Sequence, residues 1–151
     1  MIRFGMKMII LSKILFSDLQ DCALAAYPHE CCGALFGDLV ETKKEVKFLV
    51  SLTNNWVDTK TETKNRRFKI TPSDYMKCEK MAVDKSMSLL GFFHSHPDHK
   101  PIPSETDLRY AWPFFSYPII SIVNNKFDSI KSYVLDVDER CFKEENCQVL
   151  N

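Results

Sequence analysis

A chain of 151 residues is long enough to bury one sizeable core and short for two, so a single domain over 1–151 is expected. Twenty basic side chains balance twenty acidic ones, which excludes an overall field able to gather nucleic acid or an anionic membrane by charge alone. With 45% hydrophobic and 26% charged residues the composition is that of an ordinary globular protein, and no run approaches the ~18 apolar residues of a membrane-spanning helix.

The apolar run Met8 to Leu11 reads as a short strand. Arg3 and Lys7 ahead of it give the start the outline of an export signal. Lys13 interrupts the apolar stretch, and Asp18 and Asp21 precede the small-residue segment Ala23-Leu24-Ala25, so cytoplasmic residence is expected instead. Ser17, with Asp18 in a first turn, predicts a helix to about Ala26 that Pro28 stops. Cys31 to Phe36 then reads as a strand ending in a Gly37-Asp38 turn, with Val46 to Leu52 as its hairpin or meander neighbour.

Thr53 to Asn65 is polar and predicts a long surface loop, followed by a brief strand from Arg67 to Ile70. Lys60, Lys64, Arg66, Arg67 and Lys69 form one local basic stretch, read as solvated loop and strand edge. Thr71 with Pro72 opens a helix that ends before Ser88, and Leu89 to His94 has the apolar character of a central strand. Ser104 opens a further helix to about Trp112. Three strand segments complete the chain, at 117–123, 129–137 and 140–148, with turns at Asn124-Asn125 and at 136–139. The mixture without strict β-α-β alternation predicts an α+β fold, a mixed β-sheet flanked by helices. Six cysteines at 22, 31, 32, 78, 141 and 147 contain no C-x-x-C pair and read as reduced thiols.

Three of the four histidines fall within His94 to His99. If the strand extends to His96, His94 and His96 face one side of it, because side chains alternate along an extended chain. Pro97 ends regular pairing, and Pro101 and Pro103 stiffen the return to Ser104, a helix N-cap with Asp107 one turn on. Two imidazoles and one carboxylate leave the fourth corner of a tetrahedral zinc site to water, as catalytic zinc requires. Each piece has a plainer reading: Ser104-x-x-Asp107 as a capping arrangement, the histidines as loop residues bonded to backbone. Their joint occurrence after a buried strand favours a metal.

These residues carry a resemblance. His94-Ser95-His96-Pro97 followed by Ser104-x-x-Asp107 resembles the JAMM signature of the Mov34/MPN/PAD-1 proteins, and Tyr27 to Gly37 resembles that family's early glutamate motif. The order of elements agrees from about Met8 to Gln148. The resemblance implies an MPN/JAB-like (cytidine deaminase-like) fold and one Zn2+ per chain held by His94, His96 and Asp107. Glu30 would be the general base and Ser104 a donor to the developing oxyanion. It leaves His99 outside the metal shell. His29 points away from Glu30 if the segment is extended and reads as structural or exposed, Cys31 and Cys32 read as small buried hydrophobes at the start of a strand, and Ser95 either lines the cleft or supports backbone.

The compact chain resembles small prokaryotic members that act on ubiquitin-like sulfur carrier proteins, removing an amino acid or short extension after a C-terminal Gly-Gly. The substrate tail would lie along a sheet edge, with the Thr53–Asn65 loop as one wall. Two alternatives stand beside this expectation: a deubiquitinase-like isopeptidase and a non-catalytic MPN scaffold. A related DNA-repair-type group reads HNHP where this chain reads HSHP, and no nucleic-acid or membrane partner is expected. The pattern sets no oligomeric state.

Overall fold

The computed structural model describes residues 8–151, so the basic start at Arg3 and Lys7 lies outside the described residues. Seven strands and three helices run, among these, in the order β1 (Met8–Ser12), α1 (Lys13–Ala26), β2 (Cys32–Val40), β3 (Lys43–Leu52), α2 (Pro72–Asp84), β4 (Ser88–Pro97), α3 (Glu105–Arg109), β5 (Ser116–Val123), β6 (Lys126–Asp136) and β7 (Cys141–Leu150). The sheet is mixed and closes into a barrel in the order β1-β3-β2-β4-β5-β6-β7. Closure is made by β1, which pairs in parallel with both β3 and β7.

The two faces of the sheet bury separate cores. One holds Ile9, Leu11, Leu35, Phe93, Ile120 and Ile122 with Leu19 and Ala23 of α1. The other holds Ala34, Phe36, Phe92 and Tyr117 with Cys78 and Ala82 of α2. Full burial of a side chain such as Leu19 stabilises by roughly 1.5–3 kcal/mol, so each amphipathic helix is fixed mainly by the face it presents.

Several boundaries differ from the sequence expectation. Helix α1 begins at Lys13, because Ser12, rather than Ser17, accepts the capping bond from Leu15 N–H at 3.2 Å. Gly37 and Asp38 continue β2 instead of turning; the strand pairs with β3 through Val40, past an irregularity after Phe36. Residues 67–70 form no strand and complete a loop that runs from 53 to 71. Thr71 does cap α2, in a capping box with Asp74. Asn124 and Asn125, both at positive φ, make the two-residue turn between β5 and β6 that matches the twist of paired strands.

Strand β4 lies between β2 and β5, antiparallel to the first and parallel to the second. At Gly91 a Cβ would collide with the carbonyl oxygen of Ser116, so only glycine lets β5 approach this closely. At the same end of the sheet the buried Lys44 ammonium donates to Phe114 O at 2.7 Å and Ser116 Oγ at 2.8 Å, and Ser132 Oγ donates to Glu145 at 2.7 Å.

Candidate metal centre

Strand β4 continues to Pro97, so His94 and His96 sit two apart in extended chain and their rings point the same way. The Nε2 atoms are 3.2 Å apart, and Asp107 Oδ2 lies 3.3 Å from that of His94 and 3.5 Å from that of His96. A tetrahedron whose ligands lie ~2.0–2.1 Å from zinc has edges of about 3.3–3.4 Å, so the three atoms stand at the spacing of three corners. Both imidazoles are 2% exposed and the Asp107 side chain is 10% exposed.

Each member of this set is held from behind. His96 Nδ1 lies 2.7 Å from the carbonyl of Lys100, which fixes Nδ1 as the donor and leaves Nε2 with a lone pair toward the cluster. Phe68 stacks on the ring of His94 with centroids 4.4 Å apart. Asp107 belongs to a capping box at the start of α3: Ser104 N–H donates to its Oδ2 at 2.8 Å, and its own N–H donates to Ser104 Oγ at 3.0 Å. Capping and cluster are thus realised by the same atoms. The Ser104 hydroxyl proton is not used in that box. Helix α3 is shorter than expected, ending at Arg109 rather than Trp112, with Tyr110 as C-cap.

Glu30 lies in the turn between α1 and β2 and is 3% exposed. Its N–H donates to Lys64 O at 2.6 Å, and its carbonyl accepts from Asn54 Nδ2 at 3.0 Å. Both partners belong to the 53–71 loop. The next residue is tied to β4: Cys31 N–H donates to Ser95 Oγ at 2.8 Å and Cys31 O accepts from Ser95 N–H at 3.2 Å. Ser95 therefore supports backbone and brings the Glu30 segment alongside the histidines. A second tie is the Tyr27 hydroxyl, which donates to Asp98 Oδ2 at 2.7 Å just past His96.

Among the described residues two groups of side chains could hold a metal ion: His94, His96 and Asp107, and Glu30, His96 and His99. The electrostatics fit a site built for a cation. Burial pushes the Glu30 carboxyl from 4.5 up to about 8, with Asp107 adding and His94, Arg67 and Arg66 opposing. Burial also works to raise Asp107, but His94, His96 and the Ser104 amide outweigh it and hold this carboxyl well below the usual range. Burial lowers the His96 pKa. Two imidazoles offering Nε2 and one ionised carboxylate make a donor set matched to zinc.

His29 is exposed at the rim of a cleft of about 700 Å3, which Glu30, Cys31, Asn54 and Lys64 also line. Cys31 and Cys32 are buried, and burial drives the Cys31 thiol up to about 12 and that of Cys32 higher still, as small hydrophobes. Asn54, Phe68 and Asp98 escaped the sequence reading. The one signal available was composition, an Asn-rich loop of unusual length.

A family model described as prokaryotic homologs of the JAB domain matches residues 12–136. Two proteins named desampylase are similar to this chain. That of Pyrococcus furiosus is 29% identical over 106 residues, 70% of this chain and 66% of its own, so the chain spans just under two thirds of it. That of Haloferax volcanii is 27% identical over 108 residues, 71% of this chain and 73% of its own. Among solved structures, a protein from Desulfitobacterium hafniense superposes with a TM-score of 0.79 at 28% identity, covering 95% of this chain and 93% of its own. A JAB1/MPN domain protein from Archaeoglobus fulgidus gives 0.57 at 21% identity, covering 95% and 97%, and shares the fold. The chain belongs to the family of prokaryotic homologs of the JAB domain.

Proposed function

We propose that the protein is a zinc-dependent isopeptidase of the JAMM type acting on conjugates of a ubiquitin-like protein, with the bond after a C-terminal Gly-Gly as its target. The observation that carries this reading is the convergence of His94 Nε2, His96 Nε2 and Asp107 Oδ2 at 3.2–3.5 Å, with the Glu30 carboxyl buried beside them. The similarity to desampylases, enzymes that act on ubiquitin-like conjugates, supports the substrate class. The complete ligand set and the buried glutamate argue against a purely scaffolding role.

In this reading His94, His96 and Asp107 hold the zinc. Zinc held there would supply a Lewis acid, making water more acidic and the scissile carbonyl more electrophilic. Glu30 takes the proton of the attacking water and delivers it to the departing amine, a task for which a carboxyl raised toward neutrality is suited. Ser104 directs its hydroxyl proton to the oxygen on which charge develops. Asn54 and Lys64 keep the Glu30 backbone in place, so the carboxyl moves little while it exchanges protons. The 53–71 loop, bonded to the Glu30 backbone through Asn54 and Lys64, would wall one side of the path of a narrow tail, whose glycines present no side chains to it.

A ubiquitin-like sulfur carrier is the finer substrate we propose, in a cytoplasmic setting consistent with six free thiols. Intact mass spectrometry of a Gly-Gly-tailed carrier tests both levels, with one sample carrying a linear extension and another an isopeptide-linked lysine partner. Loss of the linear extension supports the carrier-processing role. Release of the lysine partner alone places the enzyme with isopeptidases. Neither, from zinc-loaded protein, overturns the substrate class.

A further inference from the structure

His99 is prepared as a metal ligand in the same way as His96. Its Nδ1 lies 2.8 Å from the carbonyl of Pro97, as that of His96 lies 2.7 Å from the carbonyl of Lys100. A backbone acceptor on Nδ1 makes that nitrogen the donor and leaves Nε2 with its lone pair, the arrangement found behind metal-bound imidazoles. The two rings stack with centroids 4.1 Å apart and planes 19° apart, so they present parallel edges. The backbone of His99 is pinned by Ser121 Oγ, which donates to its carbonyl at 2.7 Å. Glu30, His96 and His99 offer ligand atoms that all lie within 4.8 Å of one another. His96 Nε2 already belongs to the cluster with His94 and Asp107, so Glu30 and His99 are the pair left over.

We propose that Glu30 and His99 form a second, weaker zinc site beside the first, filled at excess zinc and inhibitory because it occupies the general base. The inference rests on the functional reading above for the role of Glu30. Its chemistry is that of one carboxylate and one imidazole with water completing the shell, fewer protein donors than the first site and therefore lower affinity. The zinc concentration would then set activity in two directions, the first equivalent required and the second suppressing.

The test uses the full chain, stripped by a chelator and titrated with zinc in equilibrium dialysis with elemental analysis. Wild type is expected to bind a first equivalent tightly and a second about tenfold or more weakly. His99→Ala should keep the first and lose the second. The rate of conjugate cleavage should fall in wild type as the second equivalent fills, and hold level in the variant over the same zinc range. One equivalent in both proteins, or two in both, overturns the second site while leaving the first intact; no zinc in wild type overturns both. Cobalt(II) titrated into wild type gives a reading independent of the variant's folding: visible bands that go on changing beyond one equivalent support the site, and bands that stop at one overturn it.

Discussion

The side-chain amide of Asn54 donates to the backbone carbonyl of Glu30 at 3.0 Å, across 24 residues of sequence. The same amide donates to Arg67 O at 3.0 Å, and its oxygen accepts from Trp56 N–H at 3.0 Å and Lys69 N–H at 3.2 Å. One side chain thus ties both ends of the 53–71 loop to the segment that carries the proposed base. Asn54→Ala removes all four bonds, each worth about 0.5–1.5 kcal/mol net, and should lower stability by about 2 kcal/mol or more in a denaturant titration. Turnover should fall about 10²-fold through misplacement of Glu30, with zinc content unchanged. An unchanged turnover in a destabilised protein would reduce Asn54 to a loop staple.

Ser104 has two assignments that a pair of substitutions separates. Ser104→Ala loses the cap and should cost about 1 kcal/mol of stability, as N-cap replacements do. If the hydroxyl also serves the developing oxyanion, kcat should fall about 10²-fold in zinc-loaded protein, and Ser104→Thr should restore both quantities. A loss of stability with kcat intact would leave Ser104 as a cap alone.

Much of this arrangement was legible in the chain because it is local. His94, His96, Ser104 and Asp107 lie within fourteen residues, and strand alternation plus one helical turn suffices to aim them together. Glu30 was reachable only through a family resemblance, since a β2–β4 pairing and the loop bonds bring it in. Ser12 and Ser17 offer the same capping chemistry, and only packing selects Ser12 as the start of α1. Gly37-Asp38 looked like a turn, yet pairing on both sides of Gly37 overrides its local preference. Closure of the sheet depends on a five-residue strand, β1, joining two partners distant in sequence, and no local pattern encodes that.

Protonation of Glu30 should be visible in the stability of chelator-treated protein. The folded chain retains on Glu30 a proton that the unfolded chain releases, because burial moves this carboxyl from 4.5 to about 8. Its contribution is therefore full below about 4.5 and is lost as pH rises through about 8. Glu30→Gln has no such proton to lose. The stability of the variant minus that of wild type should grow steadily between about pH 5 and pH 8 in denaturant titrations. A difference flat across that range would show that Glu30 is ionised and well solvated in the fold.

The thiols next to Glu30 should take no part in the chemistry. Cys31 and Cys32 are buried and their thiols are held far from ionisation. Iodoacetamide at about pH 8 should leave both unmodified in peptide maps of the native protein, with cleavage activity retained, because only thiolates react at a useful rate. Labelling of either, accompanied by loss of activity, would point to a cysteine nucleophile and away from the metal.

The most direct measurement compares wild type with Glu30→Gln, both loaded with zinc, on one ubiquitin-like conjugate followed by intact mass, with bound zinc counted by elemental analysis. The proposed chemistry predicts a tightly bound zinc in each protein, release of the partner by wild type, and a rate about 10²- to 10⁴-fold lower for Glu30→Gln. Equal rates in the two proteins, or cleavage by a wild type that binds no zinc, would contradict it.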